Sequence, residues 1–233
     1  MITLALDAST YAGDVAAIDD GRVLAQATTT MKGANEERLM PAVARVLDDA
    51  GIPVSRIDRV VCGAGPGSFT SLRIAGAIAK GIAVGVGCAL YAVPSMALIV
   101  GGAALEPGRY LVAVDALRGE LYVGIYELCE VQAAESSERS SVVRELEPAR
   151  LIDASALPDL VADTGARVVS PSASVPVAGA IVAPPRACAV ARLEALLSAR
   201  GPVDLQRWEP AYGRLAEAQV RWESAHGRPL PTG

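Results

Sequence analysis

Apolar residues open the chain in short runs, each bounded by turn-forming residues. Residues 2–8 (ITLALDA) form one run ending on Asp7, and residues 14–19 (DVAAID) and 22–30 (RVLAQATTT) follow, separated by Asp20-Gly21. Asp-Gly between strand-like runs signals a tight hairpin, so three consecutive strands are predicted. Residues 35–50 change to helical spacing, with Leu39, Val43, Val46, Leu47 and Ala50 on one face. Asn35 can cap that helix, Glu36 and Glu37 suit its first turn, and Gly51 can end it. Pro41 predicts a bend or a later start. A strand over 57–64 leads through the turn GPGS into a small-residue helix from Phe69 to Val86, then a strand over 89–93 and a helix over 95–104. The first half therefore reads βββαβαβα.

The pattern begins again near residue 110. YLVAVDALRGELYVGIYEL gives an apolar strand ending on Asp115, a turn at Arg118-Gly119 and an alternating strand. LALDA and VAVDA each deliver Asp-Ala at a strand end, which suggests two halves built on one plan. Residues 132–141 read as a solvated loop or hairpin tip. A helix over 155–162, strands over 166–170 and 179–183, and a helix over 185–199 follow. Residues 200–210 link to a charged C-terminal segment that could be an amphipathic helix, with disorder expected beyond Gly227. The predicted organisation is a first subdomain over 1–104, a second over 105–211, and a tail over 212–233. The uncharged stretch from Gly81 to Leu105 is long enough to span a bilayer. Its glycines and the Pro94-Ser95 turn signal instead divide it into a helix end, a strand and a second helix.

Composition narrows the chemistry. The 233 residues are 52% hydrophobic and 20% charged, which excludes a disordered chain. The net charge is −5, and only Lys32 and Lys80 are lysines, which argues against a nucleic-acid surface on this chain itself. The single histidine, His226, excludes a two-histidine metal site and leaves a Ser-His-Asp or Cys-His site only a tail residue. Cys62, Cys88, Cys129 and Cys188 are widely scattered, with no CxxC motif, and suit a reducing cytoplasm. No basic n-region precedes the first run, so no secretory signal is expected.

AGPGSFTSLRIAGAIAKG, residues 64–81, is the sharpest feature. Gly65 and Gly67 permit a tight turn and a close approach, Ser68 or Thr70 can cap the helix, and free N–H groups there could hold an anion. GxxxxGK[ST] is absent, so this is no P-loop; an ordinary capped turn remains the alternative. Asp7 and Asp115 end buried strands, where acids of a duplicated nucleotide-binding sheet face the cleft and hold a metal-bound phosphate. Ser9 and Thr10 could contact phosphate oxygens after Asp7. The residues after Asp115 lack such a clamp, and strand-end acids bonding nearby backbone are the alternative. Arg73 could pair with an acid across a partner interface or be a solvated helix charge. Met40, beside Leu39 and Val43, widens an apolar stripe that serves either the core or a docking surface.

LALDAST, GAGPGSFTSLRIAGAIAKGIA, VAVDALRGELYVGIYE and EPAYGRLAEAQ together resemble the TsaB family, dimerisation subunits of the bacterial tRNA threonylcarbamoyladenosine-modifying machinery. The resemblance covers nearly the whole chain. It implies an α/β, actin-like fold of the Hsp70 and sugar-kinase type, with two related subdomains. It also implies an inactive paralogue with no catalytic residue, cofactor or metal. The family pairs with the catalytic subunit TsaD and the ATPase TsaE in the cytoplasm, and meets tRNA only through the complex. Pairing through helices of the first half would use Glu36, Leu39, Met40, Val43, Leu47, Leu72, Arg73, Ile74, Ala75 and Ile78. A homodimer is expected when TsaD is absent. Asp7, Ser9, Thr10, Gly65, Gly67, Ser68 and Asp115 would be a vestigial phosphate site. The family motif SFTGLRIG stands here as SFTSLRIA, with Ser71 and Ala75 in place of glycines, and Ala34-Asn35 stand where the family usually has a histidine. An actin-like ATPase or small-molecule kinase is the alternative reading, and a peptidase a more distant one.

Overall fold

The computed structural model describes residues 1–31, 37–132 and 139–212. Strands β1 (Ile2–Asp7), β2 (Ala12–Asp19), β3 (Arg22–Thr30), β4 (Arg59–Gly63) and β5 (Ala89–Val93) form one sheet in the order β3-β2-β1-β4-β5. Strands β6 (Gly108–Asp115), β7 (Glu120–Gln132), β8 (Arg139–Asp153), β9 (Arg167–Ser170) and β10 (Ile181–Val182) form another in the order β10-β9-β6-β7-β8. In each, the first three strands make an antiparallel meander and the last two add in parallel beside the first. The same strand order used twice establishes the duplicated actin-like plan. The β2–β3 hairpin turns on Asp20 and Gly21, both at positive φ, as the Asp-Gly pair predicts.

Helices α1 (Leu39–Ala50), α2 (Phe69–Val86), α3 (Ser95–Gly102), α4 (Leu157–Thr164) and α5 (Glu194–Arg200) sort into layers by the faces they bury. α1 and α2 cover one face of the first sheet, where Val43, Val46, Ala79 and Ala83 meet Leu4, Leu6 and Val60. α4 covers the far face of the second sheet through Leu157 against Leu111, Ala113 and Val168. Between the sheets lie α3, α5 and a 3-10 turn over Ala187–Arg192. α2 meets the length and composition of a membrane span, but one side of it is packed on the sheet. The uncharged stretch from Gly81 to Leu105 divides into the end of α2, β5 and α3.

The middle layer is tied to both sheets. Asp14 on β2 is buried, and its Oδ1 accepts from the Ala187 backbone N–H at 2.7 Å. Its Oδ2 accepts from Thr28 Oγ1 at 2.7 Å and lies 3.3 Å from Arg186 Nη1. Arg59 on β4 donates to both carboxylate oxygens of Glu194 and to Thr3 Oγ1. On the other side Arg200 meets Glu145 at 2.5 Å, and Glu145 also accepts from the Tyr126 hydroxyl.

Two predicted elements differ from the observed ones, and one observed strand has no predicted counterpart. α1 begins at Leu39 rather than near residue 35, with Pro41 inside its first turn and the Glu37 carboxylate accepting from the Leu39 and Met40 N–H groups. The predicted capping residue Asn35 lies outside the described residues. The helix expected over 185–199 is instead a 3-10 turn over Ala187–Arg192, which starts after the extended Arg186 with Asp14 accepting its first N–H, followed by α5, the two separated at Leu193, whose backbone (φ −111°, ψ 12°) is not helical. β8 was not predicted. It is an edge strand carrying Arg144, Glu147, Pro148 and Arg150, so its apolar alternation is interrupted by residues that guard a free edge.

Candidate functional site

Asp7 ends β1 fully buried, and both of its oxygens are occupied. Oδ1 accepts from the Ser9 N–H at 2.9 Å and the Ser9 hydroxyl at 2.8 Å. Oδ2 accepts from the Ser95 hydroxyl at 2.5 Å, and that hydroxyl accepts from the Gly65 N–H at 3.0 Å. The glycine-rich turn closes directly onto this group. Ser68 donates its N–H to the Ser9 carbonyl at 2.7 Å, and a Cβ on Gly67 would stand 2.0 Å from that oxygen. A Cβ on Gly63 would stand 1.9 Å from Asp7 Oδ2. Burial pushes the Asp7 carboxyl up. The bonds from Ser95 and Ser9 pull it down, and neighbouring Asp14 adds to the upward push. Among the described residues no cation pairs with Asp7.

The expected phosphate-binding residues are thus only partly brought together. Asp7, Ser9, Gly65, Gly67 and Ser68 converge. Ser68 sits at the N-cap position of α2, but its hydroxyl pairs with that of Ser71 at 3.0 Å instead of capping a backbone N–H. Thr10 spends its hydroxyl on Ala12, within its own turn. Asp115 does not join them. It is exposed, and its Oδ1 accepts from the Leu117 N–H at 2.7 Å. Register explains the separation. Asp7 lies opposite Asp14 and shares the face of Ala5 and Ala16, toward the middle layer. Asp115 lies opposite Leu121 and shares the face of Leu111 and Ala113, toward α4. Strand side chains alternate faces, so the two acids lie on non-equivalent sides despite their matching sequence context. The expectation that both face one cleft is corrected accordingly.

The predicted docking residues divide by burial. Leu39, Val43, Leu47, Leu72 and Ala75 are buried, the first three within α1 and the last two within α2, and all but Leu72 pack in the core beneath these helices. They cannot meet a partner while the chain is folded, which corrects their assignment to a surface. Met40 is 45% exposed, Arg73 is exposed, and Ile74 and Ile78 are half-buried at the helix flanks. Glu36 lies outside the described residues, as does His226. The outward side of α2 continues through Ala77, Gly81 and Val84, all exposed and uncharged. Of the departures from the family motif, Ala75 puts a methyl group into the core, and Ser71 bonds Ser68.

Sequence reasoning missed Ser95 and Gly63 as parts of the Asp7 cluster. It also missed a strap over 203–212 that runs along α2 in the opposite direction. Val203 donates its N–H to the Leu90 carbonyl, Trp208 lies beside Lys80, and Pro210 packs where Gly76 has no side chain. Ala211 donates to the Ala64 carbonyl at 2.7 Å, and the Tyr212 ring lies 4.6 Å from that of Phe69. The Gly-Pro-rich linker composition gave no sign of this docking.

The duplicated sheets and their shared helical layer define an actin-like protein. The family model of TsaD, the tRNA N6-adenosine threonylcarbamoyltransferase, matches residues 22–156, more than half of the chain, and the chain belongs to that family. It is 33% identical over 146 residues to the tRNA threonylcarbamoyladenosine biosynthesis protein TsaB of Escherichia coli, covering 62% of this chain and 63% of that protein. It is 32% identical over 127 residues to the TsaB of Bacillus subtilis, covering 54% and 56%. The chain thus spans somewhat over half the length of these curated relatives. The solved structure of YeaZ from Pseudomonas aeruginosa superposes with a TM-score of 0.70 at 29% identity, over 91% of this chain and 99% of that one.

Proposed function

We propose that this protein is a non-catalytic subunit of tRNA threonylcarbamoyladenosine biosynthesis, docking through the outward sides of α1 and α2 onto a TsaD-type catalytic subunit and working with a TsaE-type ATPase. The similarity to proteins named TsaB supports the pathway. The observation that carries the non-catalytic role is the closed Asp7 cluster. In a nucleotide-cleaving relative, a strand-end acid must keep an oxygen free for a metal-bound phosphate. Here Ser9 and Ser95 take both oxygens, and the Gly67 backbone lies against Ser9. α1 offers Met40 and α2, the helix beside that turn, offers Ala77 and Val84 to the exterior, apolar surface suited to a protein partner. tRNA then meets the complex and not this chain alone, in keeping with its net charge of −5.

The test is twofold. The chain mixed with the TsaD-type subunit elutes as a heterodimer in size-exclusion chromatography, and separate peaks at micromolar concentration contradict the docking role. Calorimetry with ATP and magnesium gives binding no tighter than about 100 μM, about −5.5 kcal/mol. Tighter binding restores the alternative of a working ATPase or kinase.

A further inference from the structure

The exposed first turn of α2 carries a cluster made from the helix itself and the strap over 203–212. The Arg73 guanidinium carbon lies 4.6 Å from the centroid of the Phe69 ring and 5.6 Å from that of Tyr212. The two rings are tilted by 51° to each other. Phe69 stands one turn before Arg73 on the same helix, and Tyr212 arrives on the strap that lies along α2. Arg73 is exposed, and among the described residues no carboxylate lies within ion-pair distance of it.

A guanidinium held against aromatic faces keeps its in-plane N–H donors free while losing much of its rotational freedom. The arrangement fixes a charged fork in place without neutralising it. Farther along the outward side of α2 the exposed residues Ala77, Gly81 and Val84 are uncharged, and the half-buried Lys80 between them lies against the Trp208 ring of the strap. A surface with one exposed, oriented cation at the head of a stripe whose other exposed residues are apolar is complementary to a partner with an apolar body and one acid in register with that cation. A nucleic acid fits it poorly, because phosphate affinity is built from many cations acting together. We infer that Arg73, clamped by Phe69 and Tyr212, is the receptor for an aspartate or glutamate side chain of the protein partner. The inference rests on the docking role proposed above and adds the chemistry of the contact. It also gives the strap a part in recognition, since Tyr212 supplies one of the two rings.

The experiment is titration calorimetry of the full chain with the TsaD-type subunit at low and high salt, using wild type, Arg73→Met, Arg73→Lys and Tyr212→Ala. Thermal melts confirm that each variant folds. Arg73→Met is expected to weaken binding by about tenfold or more and to flatten its salt dependence. Arg73→Lys recovers only part of the loss, because an ammonium cannot match a carboxylate with two parallel bonds. Tyr212→Ala weakens binding by a smaller factor with the charge still present. Binding by Arg73→Met within about twofold of wild type overturns the inference and leaves the docking role standing. Loss of self-association in Arg73→Met with unchanged partner binding places the acid on a second copy of this chain, and also overturns it. tRNA retention by the isolated chain that disappears in Arg73→Met assigns the cation to a phosphate, with the same consequence. If wild type forms no complex at all, the docking role falls and the inference falls with it.

Discussion

The Ser95 hydroxyl, at the first residue of α3, donates to Asp7 Oδ2 across a sequence separation of 88 residues. That bond joins the end of β1 to the middle helical layer. Through the Gly65 N–H it also joins the turn that launches α2. The carboxylate at the end of β1 therefore serves as a structural joint that orients α2.

Replacing Asp7 by Asn tests the joint. The amide offers one acceptor and a new donor to a cluster that supplies only donors to Asp7, so a loss of about 1–3 kcal/mol is expected. The pH dependence carries a sign. Burial holds the folded carboxyl above its ordinary value, so the folded state binds the proton more tightly than the unfolded one. The associated stability is full below the unfolded value, near 3.8, and is lost as pH rises through the folded value. Urea midpoints between pH 4 and 7 should therefore fall more steeply for wild type than for Asp7→Asn. Parallel curves contradict this account.

Glycine substitutions separate close packing from open helix surface. Gly63→Ala would place a methyl against Asp7 Oδ2, and Gly67→Ala one against the Ser9 carbonyl. Each should cost about 2 kcal/mol or more, Gly63→Ala by displacing the buried Asp7 and Ser95 side chains and Gly67→Ala by displacing the Ser9 backbone. Gly85→Ala meets nothing within 4 Å and should stabilise α2 by about 0.5–1 kcal/mol. Thermal melts of the three variants decide the ranking.

Asp14→Ala leaves the Ala187 N–H and the Arg186 guanidinium without their acceptor beside β2. A loss of about 1–3 kcal/mol is expected, chiefly from the buried Ala187 N–H left without its acceptor. Thr28→Val removes one donor and should cost about 1 kcal/mol. Equal effects in denaturant titrations would mean that Asp14 does not anchor the middle layer.

Charge placed on α1 distinguishes core from surface. Val43 is 1% exposed, so Val43→Glu should abolish folding. Met40→Glu, at an exposed position of the same helix, should leave the melting curve within about 0.5 kcal/mol of wild type and weaken partner binding about tenfold. Unchanged binding by Met40→Glu removes α1 from the docking surface.

Local pattern made the first half legible. The Asp20-Gly21 hairpin, the bounds of α2 at Phe69 and Val86, and the strand–helix division of residues 89–104 follow from turn residues and periodicity that act over a few positions. The second half was less legible where tertiary contacts overrule propensity. Asp14 takes the N–H of Ala187 and so fixes where the 3-10 turn begins, and nothing near residue 187 announces a partner on β2. The candidate site shows the same limit. Ser9 is visible beside Asp7, while Ser95 becomes a partner only once β5 and α3 are placed. The resemblance of LALDA to VAVDA marks a true duplication, yet it aligns two acids that lie on non-equivalent faces, because strand pairing and not letter matching decides which way a side chain points. Helical spacing located the apolar stripe of α1 but could not say that Leu39, Val43 and Leu47 are spent on the sheet and that Met40 remains outside.

The layer lodged between the sheets has a consequence for how this molecule can be divided. Val190, Leu193 and Leu197 fill a space bounded by Val61 and Val93 on one side and by Val112 and Tyr126 on the other. Neither ancestral repeat now owns its interior. A polypeptide stopped after the first repeat would turn half of a shared oily seam toward water, so the two repeats melt and persist only as one body.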